Sequence, residues 1–171
     1  MNGHAGQPLD EEEIAAARSW LAAAVEPQIS GELELVYEAI ARAVAQRRPV
    51  CDASGRCCRF EEWGHRLYVT GLEAAYLLAR LDRPLTPERI GAARAAGGCP
   101  FQKSLLCSVH AIRPLGCRVY YCDETAQEWQ MELSERMLRE MRGIHERHGL
   151  PYRYGEWRAM LGVIVEAGEG S

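Results

Sequence analysis

The sequence predicts a mainly α fold: a helical domain wrapped around an irregular, metal-tied cysteine core, with room for one small β-hairpin. Three observations carry this expectation. Apolar residues recur at helical spacing on both flanks of the chain, from Ile14 to Val44 and again from Trp129 to Ile164. Helix-start and helix-stop signals punctuate the sequence between them. All seven cysteines fall between Cys51 and Cys122, and the flanks hold none. The chain of 171 residues therefore reads as three segments of one compact unit: an N-terminal helical segment over 1–49, a cysteine-cluster metal-binding domain over 50–122 and a C-terminal helical segment over 123–171.

The elements follow in order. Asp10 and Glu13 form a capping box, in which each side chain satisfies a free backbone N–H at the helix start. Ile14, Ala17, Leu21, Ala24 and Val25 supply the apolar stripe of the first helix, and Pro27 ends it. Ser30 caps a second helix with Leu33, Val36, Tyr37, Ile40 and Val44 on its inner face, closed by Arg47, Arg48 and Pro49. Residues 50–66 read as an irregular cysteine-bearing loop, and Leu67, Tyr68 and Val69 as a short extended piece. Thr70 and Glu73 make a second capping box, ahead of a helix from Leu72 to about Leu81. Thr86 and Pro87 start another helix, because proline suits the first helical position, and Gly97 and Gly98 stop it. Residues 99–122 alternate cysteines with turn formers, and Phe101, Leu105, Leu106 and Val109 are expected to anchor them to the core. A long helix then runs from about Thr125 to His148, with a stripe of Trp129, Leu133, Met137, Met141 and Ile144 and a stop at Gly149. A last short helix contains Trp157, Met160, Leu161 and Ile164, and residues 168–171 read as a frayed end.

Composition narrows the function. The net charge is −4, and Lys103 is the only lysine. Nucleic-acid binding is not expected, since neutralising phosphates takes a basic face. Residues 1–13 are polar and then acidic, unlike a secretory signal. No run approaches the roughly 20 apolar residues of a membrane span. The expected location is cytoplasmic, where disulfides are disfavoured. An odd number of cysteines, clustered in such a chain, points to metal or redox chemistry.

Thiolates are soft, charged donors, and four of them suit a zinc ion or an iron–sulfur cluster. Short spacings let one loop supply two ligands while a distant segment supplies the others. Cys51, Cys57 and Cys58 lie on one segment; Cys99, Cys107, Cys117 and Cys122 lie on the other. Two ligand sets fit the count. In one, four cysteines hold a [4Fe–4S] cluster and the rest are structural or redox partners. In the other, seven cysteines and one histidine, His110 or His65, make two tetrahedral sites. Arg56, Arg59 and Arg118 stand beside cysteines, where positive charge lowers a thiol pKa and offsets a thiolate centre.

The run Cys51-Asp52-Ala53-Ser54-Gly55-Arg56-Cys57-Cys58 resembles the CxxCxxCC signature of the YkgJ-type cysteine-cluster proteins, a family read as zinc- or iron-chelating. Its later motifs follow in the same order: Cys99-Pro100-Phe101, then Cys107 with Val109 and His110, then Arg113-Pro114, Cys117-Arg118 and Tyr121-Cys122. Val69-Thr70-Gly71-Leu72-Glu73 is similar to its helix start. The resemblance covers residues 50–122. It implies a metal site drawn from Cys51, Cys57, Cys58, Cys99, Cys107, Cys117 and Cys122. Ser54 stands where the family has its second cysteine, and a neutral hydroxyl is a poor ligand here. His110 stands where the family has tyrosine, either as a compensating nitrogen ligand or as a polar substitute. Distant relatives among the flagellin lysine methylases, associated with an iron–sulfur cluster, put iron ahead of zinc.

Other features read as structural. His145 and His148 fit a helix end, where a cation complements the dipole. His4 lies in an amino-terminal tail, Trp129 and the methionine stripe are core, Glu61 and Glu62 are a solvated pair, and Arg113-Pro114 is a rigid turn that aims Cys117. The sequence holds no phosphate loop, no GxSxG elbow and no HExxH helix. Three functions follow as expectations. The first is a metal-binding protein with an iron–sulfur cluster or iron, in a redox or accessory role toward an unidentified protein partner. The second is a structural zinc module that mediates macromolecular interaction. The third, resting on the family association alone, is a component of a protein-modifying, methylase-like enzyme.

Overall fold

The structure is a computed structural model, and it describes residues 8–169. His4 and the last two residues lie outside this range. Helix α1 spans Glu11–Val25, and Asp10 and Glu13 form the expected capping box. Helix α2 spans Pro27–Arg47 and starts three residues before the expected cap. Pro27 occupies the first turn, where its missing N–H costs nothing, and the Glu26 side chain accepts from Ile29 N at 2.8 Å. Ser30 is instead buried inside the helix, so the proline marks a corner and not a gap.

Strand β1, Tyr68–Thr70, runs into helix α3, Gly71–Leu78. Helix α4, Pro87–Ala95, starts behind the Thr86 cap. Strands β2, Gln102–Lys103, and β3, Leu106–Cys107, form an antiparallel hairpin with Ser104 in the left-handed region, φ 55°. The short helix α5, Leu115–Val119, follows. Helix α6, Gln127–Arg147, helix α7, Trp157–Glu169, and strand β4, Tyr154–Glu156, complete the described chain. β4 pairs antiparallel with β1, with Val69 opposite Gly155. The fold is thus mainly helical, with two small antiparallel two-stranded sheets, one of them a hairpin. No helix among the described residues is long and apolar enough to cross a membrane.

One apolar core joins residues of all three sequence segments. α1 and α7 flank α3, and α2 packs on α6 and α5. Trp20, Leu72, Leu77, Leu133, Met141 and Trp157 are almost wholly removed from water, each contributing about 1.5–3 kcal/mol of transfer free energy. The indole of Trp20 donates to Pro151 O at 2.8 Å, which ties α1 to the turn before β4. Two of the four expected anchors of residues 99–122 behave differently. Phe101 is buried and Val109 packs against the core, but Leu105 and Leu106 are exposed. They sit at the turn of the β2–β3 hairpin, whose tight reversal carries them away from the body.

Candidate metal centre

The cysteine segments are stitched together by their backbones. Gly55, at φ 72°, turns the chain into a single 3-10 turn over Arg56–Cys58. A side chain there would be strained, and its Cβ would lie 2.8 Å from Leu105 O. Cys58 N donates to Gly55 O at 3.1 Å, and Cys58 O accepts from Cys99 N at 2.9 Å. Glu61 N donates to Gly97 O at 3.1 Å, while Gln102 Nε2 reaches Gly55 O at 3.0 Å. The third segment is fixed from the core: Leu115 N donates to the buried carboxylate of Glu73 at 2.7 Å, and Cys117 N to Pro114 O at 3.0 Å.

Five cysteines meet as a result. Cys58 is the neighbour that bears most on the ionisation of both Cys57 and Cys99. Cys107 and Cys117 lie close enough to be acted on by Cys57 and Cys99. The neighbouring Cys58 thiol holds Cys57 down to about 6 and Cys99 below the usual thiol value. Cys58, serving both neighbours, is pushed far up and keeps its proton. Burial pushes Cys117 well up and Cys107 up, and neighbouring thiolates add to both. Like Cys57, Cys51 and Cys122 are exposed. Their segments are neighbours, because Val50 N donates to Asp123 Oδ2 at 3.0 Å. Cys122 contacts Tyr120.

The histidines take other roles. His110 Nε2 accepts from the Arg113 guanidinium. Burial, with Arg113 and Arg118, holds the ring below its usual pKa and therefore neutral. His65 stacks on Tyr120 with centroids 5.3 Å apart and donates from Nε2 to Cys57 O at 3.3 Å. It props the loop that carries Cys57.

Of the arginines, Arg118 spends its guanidinium on Arg113 O and Ala111 O, at 2.7 and 2.8 Å, and lies over the Tyr37 ring. Arg59 pairs with Glu62, and Arg56 covers Trp63. The cation nearest the thiols is Arg113, whose charge partly opposes the upward push of burial at Cys117 and Cys107 and adds a little to the lowering of Cys57 by Cys58. Reading Arg113-Pro114 as a turn alone missed this. Glu61 is no freely solvated carboxylate either: the buried Arg158 donates to both its oxygens, at 2.8 and 3.3 Å.

Trp157 is a further residue that sequence reasoning took only as core. Its ring is buried beside Phe101, and its Nε1 proton has no regular hydrogen-bond partner. Cys99 is the group it acts on, and the indole helps hold that thiol down. A buried N–H left without a partner costs about 1–3 kcal/mol.

Among the described residues, no three or more His, Cys, Asp or Glu side chains stand in a ready-made metal geometry. The donor chemistry nevertheless fits a soft cation. Five thiols lie in one neighbourhood, and two of them are held toward thiolate, the form that binds a metal. The orphaned indole N–H suits a metal-bound thiolate as acceptor. No protein-family model matches the chain, and no curated protein or solved structure is similar to it.

Proposed function

We propose that this protein holds a thiolate-ligated metal centre, an iron–sulfur cluster or iron, and serves a redox or accessory role. The observation that carries the reading is the convergence of Cys57, Cys58, Cys99, Cys107 and Cys117 from three separate segments. Sulfurs crowded this way repel one another once ionised, and a bound cation offsets that repulsion. The motif order shared with the YkgJ-type proteins supports the same reading and favours iron. Zinc is the alternative occupant, since it accepts the same four-sulfur donor set.

When bound, such a centre supplies one-electron chemistry if it is iron, or Lewis acidity and cross-linking if it is zinc. This chain's residues supply the rest. Cys58 forms the buried end, Cys99, Cys107 and Cys117 the half-buried middle, and Cys57 the exposed end. Trp157 would supply an N–H to a metal-bound sulfur. Arg113 offsets negative charge. Cys51 and Cys122 belong to the ligand set implied by the family resemblance, and His110 is a candidate nitrogen ligand where the family has tyrosine; all three stand outside the five-sulfur group proposed here.

Metal content of serine variants tests the assignment. After anaerobic preparation, Cys58→Ser, Cys99→Ser and Cys117→Ser should each lose most of their metal. Cys51→Ser and Cys122→Ser should retain theirs. The reverse pattern would assign the site to the outer pair.

A further inference from the structure

A cleft of about 400 Å³ opens beside the thiol group, within the size range of small-molecule sites. Cys57 and Cys117 stand at its inner end, and Leu67 and Val119 line its floor. Its rim gathers four of the large apolar side chains that the fold leaves exposed: Tyr68, Tyr120, Met131 and Tyr154, each at least 40% accessible. Exposed apolar groups scattered singly are ordinary; a ring of them around one opening marks a binding surface.

The walls are aromatic and ordered in pairs. Tyr68 and Tyr154 stack with centroids 5.9 Å apart at 30°, and Tyr120 stacks on His65 at 16°. Each pair is a stiff platform with π-faces, suited to another flat ring in offset or edge contact. Among the lining residues, Arg66 and Glu135 carry opposite charges, and Cys57 is held toward thiolate at the thiol end. Nothing there selects a strongly charged ligand. Ser134 and Gln127, on one face of α6, offer a hydroxyl and an amide oxygen for the polar edge of a heterocycle, the Gln127 Nε2 already donating to Asp123 O at 3.5 Å. Gln130 is not free for this, because its amide already serves Tyr121 N and O at 2.6 and 3.2 Å.

We propose that this cleft binds a small, planar, uncharged heteroaromatic molecule of the isoalloxazine type, seated against the tyrosine rings with one edge at Cys57 and Cys117. The proposal concerns binding alone and does not rest on the metal reading. A ring held there covers the open end of the thiol group.

Lumiflavin is the probe, because it carries the ring without charge and, unlike a quinone, does not arylate thiols. The full chain is titrated into lumiflavin in metal-free and metal-loaded form, and quenching of flavin fluorescence is followed. In metal-free protein, alkylation of each cysteine by iodoacetamide is mapped by mass spectrometry with and without the probe. Saturable quenching is expected, together with slowed alkylation of Cys57 and unchanged alkylation of Cys51. Tyr120→Ala should weaken binding about tenfold. Ser134→Trp, which fills the cleft from α6, should abolish quenching while the melting temperature holds. Absence of saturable quenching, or quenching that leaves Cys57 unprotected or survives Ser134→Trp, overturns the proposal. So does preferential protection by an apolar peptide or an aliphatic additive. Metal content is measured on the same samples, so protein that takes up metal but not lumiflavin defeats this inference and leaves the metal reading standing.

Discussion

At Glu73 one buried carboxylate collects four donors: Thr70 N and Oγ1 at 3.0 Å each, Leu115 N at 2.7 Å and Tyr37 OH at 3.5 Å. The sequence shows only the first half of this. Thr70 and Glu73 read as a local capping box, and their spacing says nothing of Leu115, which arrives from 42 residues away. That long-range bond makes a helix cap into the anchor of the segment carrying Cys117. Replacing Glu73 with Ala should therefore cost about 1–3 kcal/mol for each donor left unpaired, read from chemical denaturation. It should also weaken metal uptake more than Asp10→Ala, which removes a cap remote from the sulfurs and should cost about 0.5–2 kcal/mol. Trp157 gives the companion case. With iron bound, Trp157→Phe keeps an aromatic ring beside Phe101 but removes the N–H, and should lower the reduction potential, since hydrogen bonds to sulfur favour the reduced, more negative state. An unchanged potential would leave Trp157 as packing alone. Neither role is legible in the sequence, because an indole in an apolar helix stripe looks the same whether or not its nitrogen faces a thiol.

Helices with caps and periodic stripes are the elements the sequence reads best. α1, α4 and α6 begin or end within about two residues of their signals, because capping is local chemistry. β4 went unread. Its three residues pair with β1 across more than eighty positions, and Tyr154-Gly155-Glu156 carries no alternating pattern of its own. The exposure of Leu105 and Leu106 went unread for a related reason: hydrophobicity expects burial, while the hairpin register decides it. Close helix approach is equally silent in sequence. Gly71, at the start of α3, lies so near Trp20 that a Cβ there would fall within the indole ring. Gly71→Ala should force α1 and α3 apart and cost on the order of 1–3 kcal/mol, whereas Gly31→Ala, with open space around it, should be neutral or stabilising. Thermal melts of the two variants separate a packing constraint from a helix-propensity effect.

Across the whole molecule, charge and metal bear on stability in different ways. Hydrogen bonds from Arg147 and His148 hold Glu32 below the usual carboxylate value, and Arg158 does the same for Glu61. Both contributions are complete above the ordinary glutamate value of 4.5 and are lost as pH falls through the depressed folded values. His145, buried with Nδ1 donating to Pro151 O at 2.9 Å, is held below its ordinary 6.5. The unfolded chain takes up that proton first, so stability declines as pH drops below 6.5. Glu73, pushed up by burial, opposes this trend above 4.5. Melting temperature should fall between neutral pH and pH 5, and His145→Asn should flatten that part of the profile. Metal removal should act locally. The core of Trp20, Leu72, Leu133 and Met141 closes without help from the sulfurs, so a chelator should leave the helical circular dichroism while amide exchange rises in residues 51–58 and 99–117. Loss of the helical signal would favour a structural zinc module instead.

The most direct measurement is elemental analysis of the full chain prepared without oxygen, with thiols counted on the same sample. A thiolate-held centre predicts at least stoichiometric iron, a brown protein, and Cys57, Cys58, Cys99 and Cys117 unreactive until the metal is removed. A colourless protein that carries neither iron nor zinc, with all seven thiols titrating freely, would contradict it.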